Sequence, residues 1–150
     1  MANPSSHGID EPVKKGLVTS ALLGISALLG LAILGTDHNL WNFEPSHAYA
    51  LIAFVVIDVV GIILVMWKGT RNMLRLAGAW GAIFAIIMVS DIFSGAASLF
   101  GLDSYQFAQY LFGLAYPDNQ HIAFLFPALV AVNVLAAVVG FVESRSKSQQ

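Results

Sequence analysis

The chain has 150 residues, of which 57% are hydrophobic and only 11% are charged, and its mean hydropathy is +0.75. Because a soluble domain is nearer a quarter charged, this composition is typical of an integral membrane protein. The absence of cysteine excludes a disulfide framework, a thiolate metal site and a cysteine nucleophile, and a net charge of −2 without a basic cluster argues against a nucleic-acid partner.

Residues 1–15 are polar and lack apolar periodicity, so we expect them to form a flexible cytoplasmic tail. The first predicted span covers residues 16–35. Its apolar run of about eighteen residues is longer than the core of a signal peptide, and no A-x-A cleavage site follows it, so we expect the span to be retained. Residues 36–47 form a predicted loop, in which Asp37 and Pro45 favour turns.

The second span, predicted at residues 48–67, is almost pure hydrocarbon with one carboxylic acid, Asp58, near its middle. A helix of this length rises about 30 Å, which matches the hydrocarbon core of a bilayer. A short basic loop over residues 68–75 leads to the third span, predicted at residues 76–99, which carries Asp91. An ionisable residue inside a span is by default a candidate functional site.

Residues 102–120 connect the third and fourth spans, and their broad set of apolar and aromatic side chains predicts a short helix in the outer membrane interface. An irregular aromatic-rich loop is the alternative. The fourth span is predicted at residues 122–142, and residues 143–150 are expected to form a flexible cytoplasmic tail. The predicted fold is therefore an all-α integral membrane protein, with a four-transmembrane-helix bundle over residues 16–142.

The basic residues predict the topology. All seven Lys and Arg residues lie before the first span, between the second and third spans, or after the fourth. Four spans place these three regions on one side of the membrane, and the positive-inside rule makes that side the cytoplasm. We therefore expect a multi-pass protein with both termini cytoplasmic, located in the plasma membrane of a prokaryote.

Four polar residues inside the spans are candidates for an interhelical polar site or for a proton or ion pathway: Asp58, Asp91, Ser94 and Asn133. Small residues share the helix faces of these groups, which indicates that they face protein rather than lipid. At about 1.5 Å per residue, Asp58 and Asn133 lie at similar depths and the two acids are separated by a step of about 5 Å. Since no Lys, Arg or His lies in a span, we expect Asp58 to be neutral unless another subunit, an ion or water compensates its charge.

A second group of candidates lies on the predicted outer face, where Asp37, His38, His47 and His121 are potential metal ligands. Imidazole and carboxylate suit zinc, copper or iron. Their spacing matches no recognised ligand motif, so solvated or loop-capping roles are the alternative. The spans contain no histidine to ligate a haem, and the chain has no glycine-rich phosphate-binding motif.

These observations favour a non-catalytic accessory subunit of a larger membrane complex, with a respiratory or other bioenergetic complex as the suggested host. Its expected partners are other membrane subunits and the lipid bilayer. No motif implies a cofactor, and a bound lipid or quinone at the intramembrane acids is an alternative. A second hypothesis is a homo-oligomeric proton or ion conductor that uses Asp58 and Asp91. A third is a component of a membrane metalloenzyme with its ligands on the outer face.

Overall fold

The computed structural model of the protein describes residues 16–43, 45–98 and 124–145. Within these ranges the regular secondary structure is helical, and it comprises α1 (Leu17–Thr36), α2 (His38–Phe43), α3 (Pro45–Lys68), α4 (Arg71–Ser98) and α5 (Leu125–Arg145). Four of these helices, α1, α3, α4 and α5, are long and apolar enough to cross a membrane. For the described residues, the predicted all-α fold with four helices long and apolar enough to span a membrane is thus confirmed. The interfacial helix predicted at residues 102–120 lies outside the described residues.

The turn between α3 and α4 is shorter than the predicted loop over residues 68–75. Gly69 has a φ of +53°, and its backbone N–H donates to a carbonyl four residues back in α3 at 2.9 Å. This left-handed glycine ends α3. The Thr70 hydroxyl then accepts a hydrogen bond from the Met73 backbone N–H at 3.3 Å, which caps the first turn of α4. Arg71 and Arg75 therefore lie on a helix and not in a loop.

The predicted loop over residues 36–47 contains the short helix α2. The Asp37 carboxylate accepts a hydrogen bond from the Leu40 backbone N–H at 3.0 Å, which satisfies a donor at the start of α2. Helix α3 begins at Pro45, three residues before the predicted start of the second span. Proline is well suited to a first helical position because the N–H that it lacks would have no partner there.

Helix α5 continues to Arg145, three residues into the segment that the sequence predicted as a tail. The Glu143 carboxylate accepts hydrogen bonds from the Thr19 hydroxyl at 2.5 Å and from the Thr19 backbone N–H at 3.3 Å. Thr19 lies in the first turn of α1, where backbone N–H groups lack intrahelical partners and the helix dipole favours a negative charge. This contact ties the beginning of α1 to the end of α5.

Helix α1 lies between α3 and α5, and α5 packs against α4 in the most extensive contact of the bundle. Helices α3 and α4 touch each other little, although only two residues connect them. The bundle is therefore held together mainly through α1 and α5.

Small residues set the distance between α4 and α5. A Cβ atom at Gly140 would lie 2.8 Å from the Cα atom of Gly78, and a Cβ atom at Gly81 would lie 2.8 Å from the backbone oxygen of Asn133. The two backbones thus approach as closely as in other membrane helix pairs that pack through small residues. The close approach also brings Asn133 to the level of Gly81 and its neighbour Trp80.

Two apolar clusters fill the interior at different levels. The first cluster consists of Ile33, Leu51, Phe84, Leu125 and Leu129. The second consists of Leu23, Val65, Leu74, Ala77 and Ala136. On each of the four spanning helices, the residues between these clusters form a separate middle level of the bundle.

Candidate functional site in the middle of the bundle

The middle level contains one hydrogen-bonding side chain from each spanning helix: Ser26 on α1, Asp58 on α3, Trp80 on α4 and Asn133 on α5. We call these four residues the polar layer. In every helix the polar-layer residue falls between the positions that supply the two apolar clusters. The polar layer is therefore enclosed by hydrocarbon above and below, and its members must find hydrogen-bond partners among themselves.

Asp58 is at the centre of the polar layer, and its side chain is 0% exposed. The Trp80 indole Nε1 donates a hydrogen bond to Asp58 Oδ1 at 2.8 Å. The Ser26 hydroxyl of α1 interacts with the same carboxyl group. The second carboxyl oxygen, Oδ2, has no hydrogen-bond partner within the described part of the chain. The contacts of Asp58 thus join α3 to both α1 and α4.

Asn133 continues the polar layer into α5 and is also 0% exposed. Its Nδ2 group donates to Ser26 Oγ at 2.8 Å and to the Leu129 backbone oxygen at 2.9 Å. Its Oδ1 atom, like Asp58 Oδ2, lacks a hydrogen-bond partner among the residues that the structure describes. Ser26 is therefore the link between the amide of Asn133 and the carboxyl group of Asp58.

Aromatic rings close the polar layer where α3 and α4 face each other. The rings of Phe54 and Phe84 stack with centroids 4.1 Å apart, and Trp80 lies 5.5 Å from Phe54 and 6.2 Å from Phe84. Pairs of this kind contribute contact energy beyond the area that they bury. They hold the Trp80 ring in the orientation that directs its N–H at Asp58.

The described Lys and Arg residues lie at helix ends and not in the polar layer. Lys68 ends α3 ten residues after Asp58, which corresponds to about 15 Å along a helix axis. Arg71 and Arg75 are in the first turns of α4, and Arg145 is in the last turn of α5. The groups that contact Asp58 are thus the neutral side chains of Trp80 and Ser26.

Asp91 and Ser94 lie on α4, but their side chains fall outside the described residues. The helix places Asp91 eleven residues beyond Trp80, or about 16 Å along the axis. Since Trp80 contacts Asp58, this separation along α4 is longer than the predicted step of about 5 Å between the two acids.

Three of the predicted outer metal ligands, Asp37, His38 and His47, lie within the described residues. Asp37 is buried and caps α2, whereas His38 is exposed. Within residues 16–43, 45–98 and 124–145, no three His, Asp or Glu side chains form a group suited to a metal ion. His121 lies outside these ranges, so the complete predicted set of Asp37, His38, His47 and His121 stays a prediction.

Sequence reasoning missed Trp80 and Ser26 as partners of the intramembrane acid. The sequence could have identified Trp80 as a partner, because Trp41 and Trp67 flank a predicted span whereas Trp80 lies within one. A buried indole N–H usually finds an acceptor, and an aspartate in an adjacent span is a suitable one. Ser26 carried no such signal, since serine also occurs in spans simply as a small residue.

Comparison of the chain with family models, curated proteins and solved structures finds no match.

Proposed function

We propose that the protein is a non-catalytic accessory subunit of a larger membrane complex. The observation that supports this proposal is the polar layer, in which the intramembrane Asp58 is held by side chains of the same chain. Its contacts to Trp80 and Ser26 join three spanning helices. Intramembrane polar groups with this kind of partner stabilise helix packing. Asp58 thus acts as a structural group in a subunit whose partners supply the chemistry.

The outward surface of the bundle is consistent with this role. Helix α3 is the most exposed span, with only 22% of its most apolar stretch buried. Its outer face carries a row of branched apolar side chains: Ile52, Val56, Val59, Val60 and Ile63. In a bilayer such a face meets lipid or the helices of other subunits. That the host complex is respiratory or otherwise bioenergetic, and that it holds a lipid or quinone, stay predictions from the sequence.

Mild purification tests the proposal. The tagged full-length chain is extracted in a gentle detergent and examined by native mass spectrometry with metal analysis. We expect unlike membrane chains at fixed stoichiometry, and we expect the same partners with the Asp58→Asn variant. A matched preparation of the exposed-site variant Trp67→Phe serves as the control. Recovery of the tagged chain only as a monomer or homo-oligomer would contradict the proposal.

We also propose that both termini and the 69–70 turn are cytoplasmic, as the basic residues predict. The chain has no cysteine, so single cysteines report each side without background. His38→Cys and Asn72→Cys replace exposed residues at opposite ends of the bundle. A membrane-impermeant maleimide should label intact cells at position 38 and should label position 72 only after permeabilisation. The reverse pattern would overturn the topology.

A second candidate, a homo-oligomeric proton or ion conductor, is favoured by one observation. Asp58 Oδ2 and Asn133 Oδ1 are buried acceptors without a partner in the described chain, and intramembrane acids commonly mark ion pathways. Purified protein in liposomes, loaded with dyes that report pH and Na⁺, separates the two candidates. A conductor should carry flux that Asp58→Asn abolishes. An accessory subunit should carry no flux with either sequence.

A further inference from the structure

Two buried oxygen atoms of the polar layer point to a ligand. Asp58 Oδ2 and Asn133 Oδ1 each lack a hydrogen-bond partner among the described residues, although both side chains are 0% exposed. Such unsatisfied acceptors in hydrocarbon are costly, and each calls for an explanation. Both side chains contact Ser26, whose hydroxyl accepts a hydrogen bond from Asn133 Nδ2 and interacts with the Asp58 carboxyl group. The side chains that carry the two oxygens therefore meet at Ser26.

We propose that the polar layer binds one Na⁺ ion, with Asp58 Oδ2, Asn133 Oδ1 and Ser26 Oγ as its protein ligands. The ligands come from α3, α5 and α1, so the ion connects the three helices. This site goes beyond the role of an accessory subunit and does not depend on it.

The donor atoms decide the class of ion. Carboxylate, amide and hydroxyl oxygens are hard ligands, which suit alkali and alkaline-earth ions and not the soft or borderline transition metals. Ser26 Oγ has two lone pairs, of which Asn133 Nδ2 uses one. The second lone pair is available to a cation.

Charge selects a monovalent ion. An ionised Asp58 supplies one negative charge, and the polar layer holds no Lys, Arg or His in the described part of the chain. One Na⁺ makes the site neutral, whereas a divalent ion would leave a net charge buried in hydrocarbon, which is strongly unfavourable. The Trp80 N–H, bonded to Oδ1, fixes the carboxyl group so that Oδ2 stays free for the ion.

The fluorescence of Trp80 can report the binding of the ion. Its indole N–H donates to the same carboxyl group, so an ion at Oδ2 changes the electric field at the ring. The chain has three tryptophans, and the double substitution Trp41→Phe and Trp67→Phe leaves Trp80 as the fluorescent one. This full-length protein, in detergent, is titrated with NaCl at pH 8 while choline chloride keeps the ionic strength constant. The thermal unfolding midpoint is measured over the same titration.

We expect a saturable change in Trp80 emission with Na⁺, and an unfolding midpoint that rises with the logarithm of the Na⁺ concentration. Potassium should act more weakly. Asp58→Asn should abolish the response, and Ser26→Ala should weaken Na⁺ binding by at least about tenfold, since even outer-shell partners of a metal site have effects of this size. Ser20→Ala is the matched control, because Ser20 is also buried on α1 but lies outside the polar layer. It should keep the response.

The proposal is overturned if Na⁺ changes neither the Trp80 emission nor the unfolding midpoint of the parent protein. In that case the carboxyl group of Asp58 is neutralised by a proton and not by Na⁺. The proposal is equally overturned if choline or K⁺ acts as strongly as Na⁺, or if Asp58→Asn binds Na⁺ with the parent affinity. The first of these results needs no substitution in the polar layer, so a folding defect of a variant cannot obscure it.

Discussion

Helix α4 packs against its two neighbours, α5 and α3, by different means. At the α4–α5 interface, Gly78, Gly81 and Gly140 let the backbones touch, and added Cβ atoms would meet backbone atoms at 2.8 to 3.1 Å. At the α3–α4 interface the backbones are farther apart, and long side chains bridge the space. There the Trp80–Asp58 hydrogen bond and the ring contacts of Phe54 supply the connection.

The difference shows which substitutions each interface tolerates. A close backbone contact has no side chain that can move aside, so any added atom forces the helices apart. A bridge made of side chains tolerates small changes of volume but depends on the satisfaction of its polar atoms. In the bilayer the loss of a hydrogen-bond partner is especially costly, because no water is present to replace it.

The largest effect is expected at the glycine contact. Gly140→Ala adds a Cβ atom 2.8 Å from the Gly78 Cα atom, and we expect it to lower the free energy of unfolding by about 2–3 kcal/mol through overpacking. Gly24→Ala is the matched control, because its Cβ atom would meet only the end of the Ile62 side chain at 3.9 Å. Titration of the purified protein with SDS in detergent micelles measures the free energy of unfolding of both variants. Equal stability of the two variants would show that the backbones are not in contact.

A smaller effect is expected at the side-chain bridge. Trp80→Phe keeps a ring near Phe54 but removes the N–H that satisfies Asp58 Oδ1, and we expect a loss of about 1–2 kcal/mol. The control Trp67→Phe changes a side chain that is 78% exposed and should leave stability within about 0.5 kcal/mol of the parent. The same SDS titration applies. A neutral Trp80→Phe substitution would mean that the indole does not support the carboxyl group.

The smallest effect is expected at the contact that joins α1 to α5. Thr19→Val removes the hydroxyl that donates to Glu143 but leaves the backbone donor in place, so the expected loss is about 0.5–1 kcal/mol. Thr36→Val is the control, since its hydroxyl bonds only a carbonyl of its own helix at an exposed site. If the two threonine variants unfold alike, the Thr19 hydroxyl does not stabilise the contact with Glu143.

The four spans were predictable because each is a long apolar run with charges at its ends. The positions of Asp58 and Asn133 inside the bundle follow from the small residues on their helix faces, and the structure buries both. The helix ends were less predictable, since they depend on single contacts. Thr70 capping α4 and Glu143 meeting Thr19 both extend helices into polar segments that hydropathy assigns to loops.

The composition of the polar layer was not predictable, because it depends on which helices are neighbours. Periodicity gives the face on which Asp58 lies but does not say that Ser26 of α1 and Trp80 of α4 oppose it. The order of packing, with α1 and α5 central and α3 and α4 barely in contact, is a tertiary property. Asp91 lies about 16 Å along α4 from Trp80 of the polar layer.

A double-mutant cycle between Asp58 and Trp80 tests most directly whether the intramembrane acid is a structural group of this bundle. The free energies of unfolding of the parent, Asp58→Leu, Trp80→Phe and the double variant are measured by SDS titration. A structural hydrogen bond predicts a coupling of at least about 0.6 kcal/mol, the average between polar partners in membrane helices, for which the maximum is about 1.7 kcal/mol. If the two losses instead add to within about 0.3 kcal/mol, the carboxyl group and the indole do not act together, and Asp58 does not hold α3 to α4.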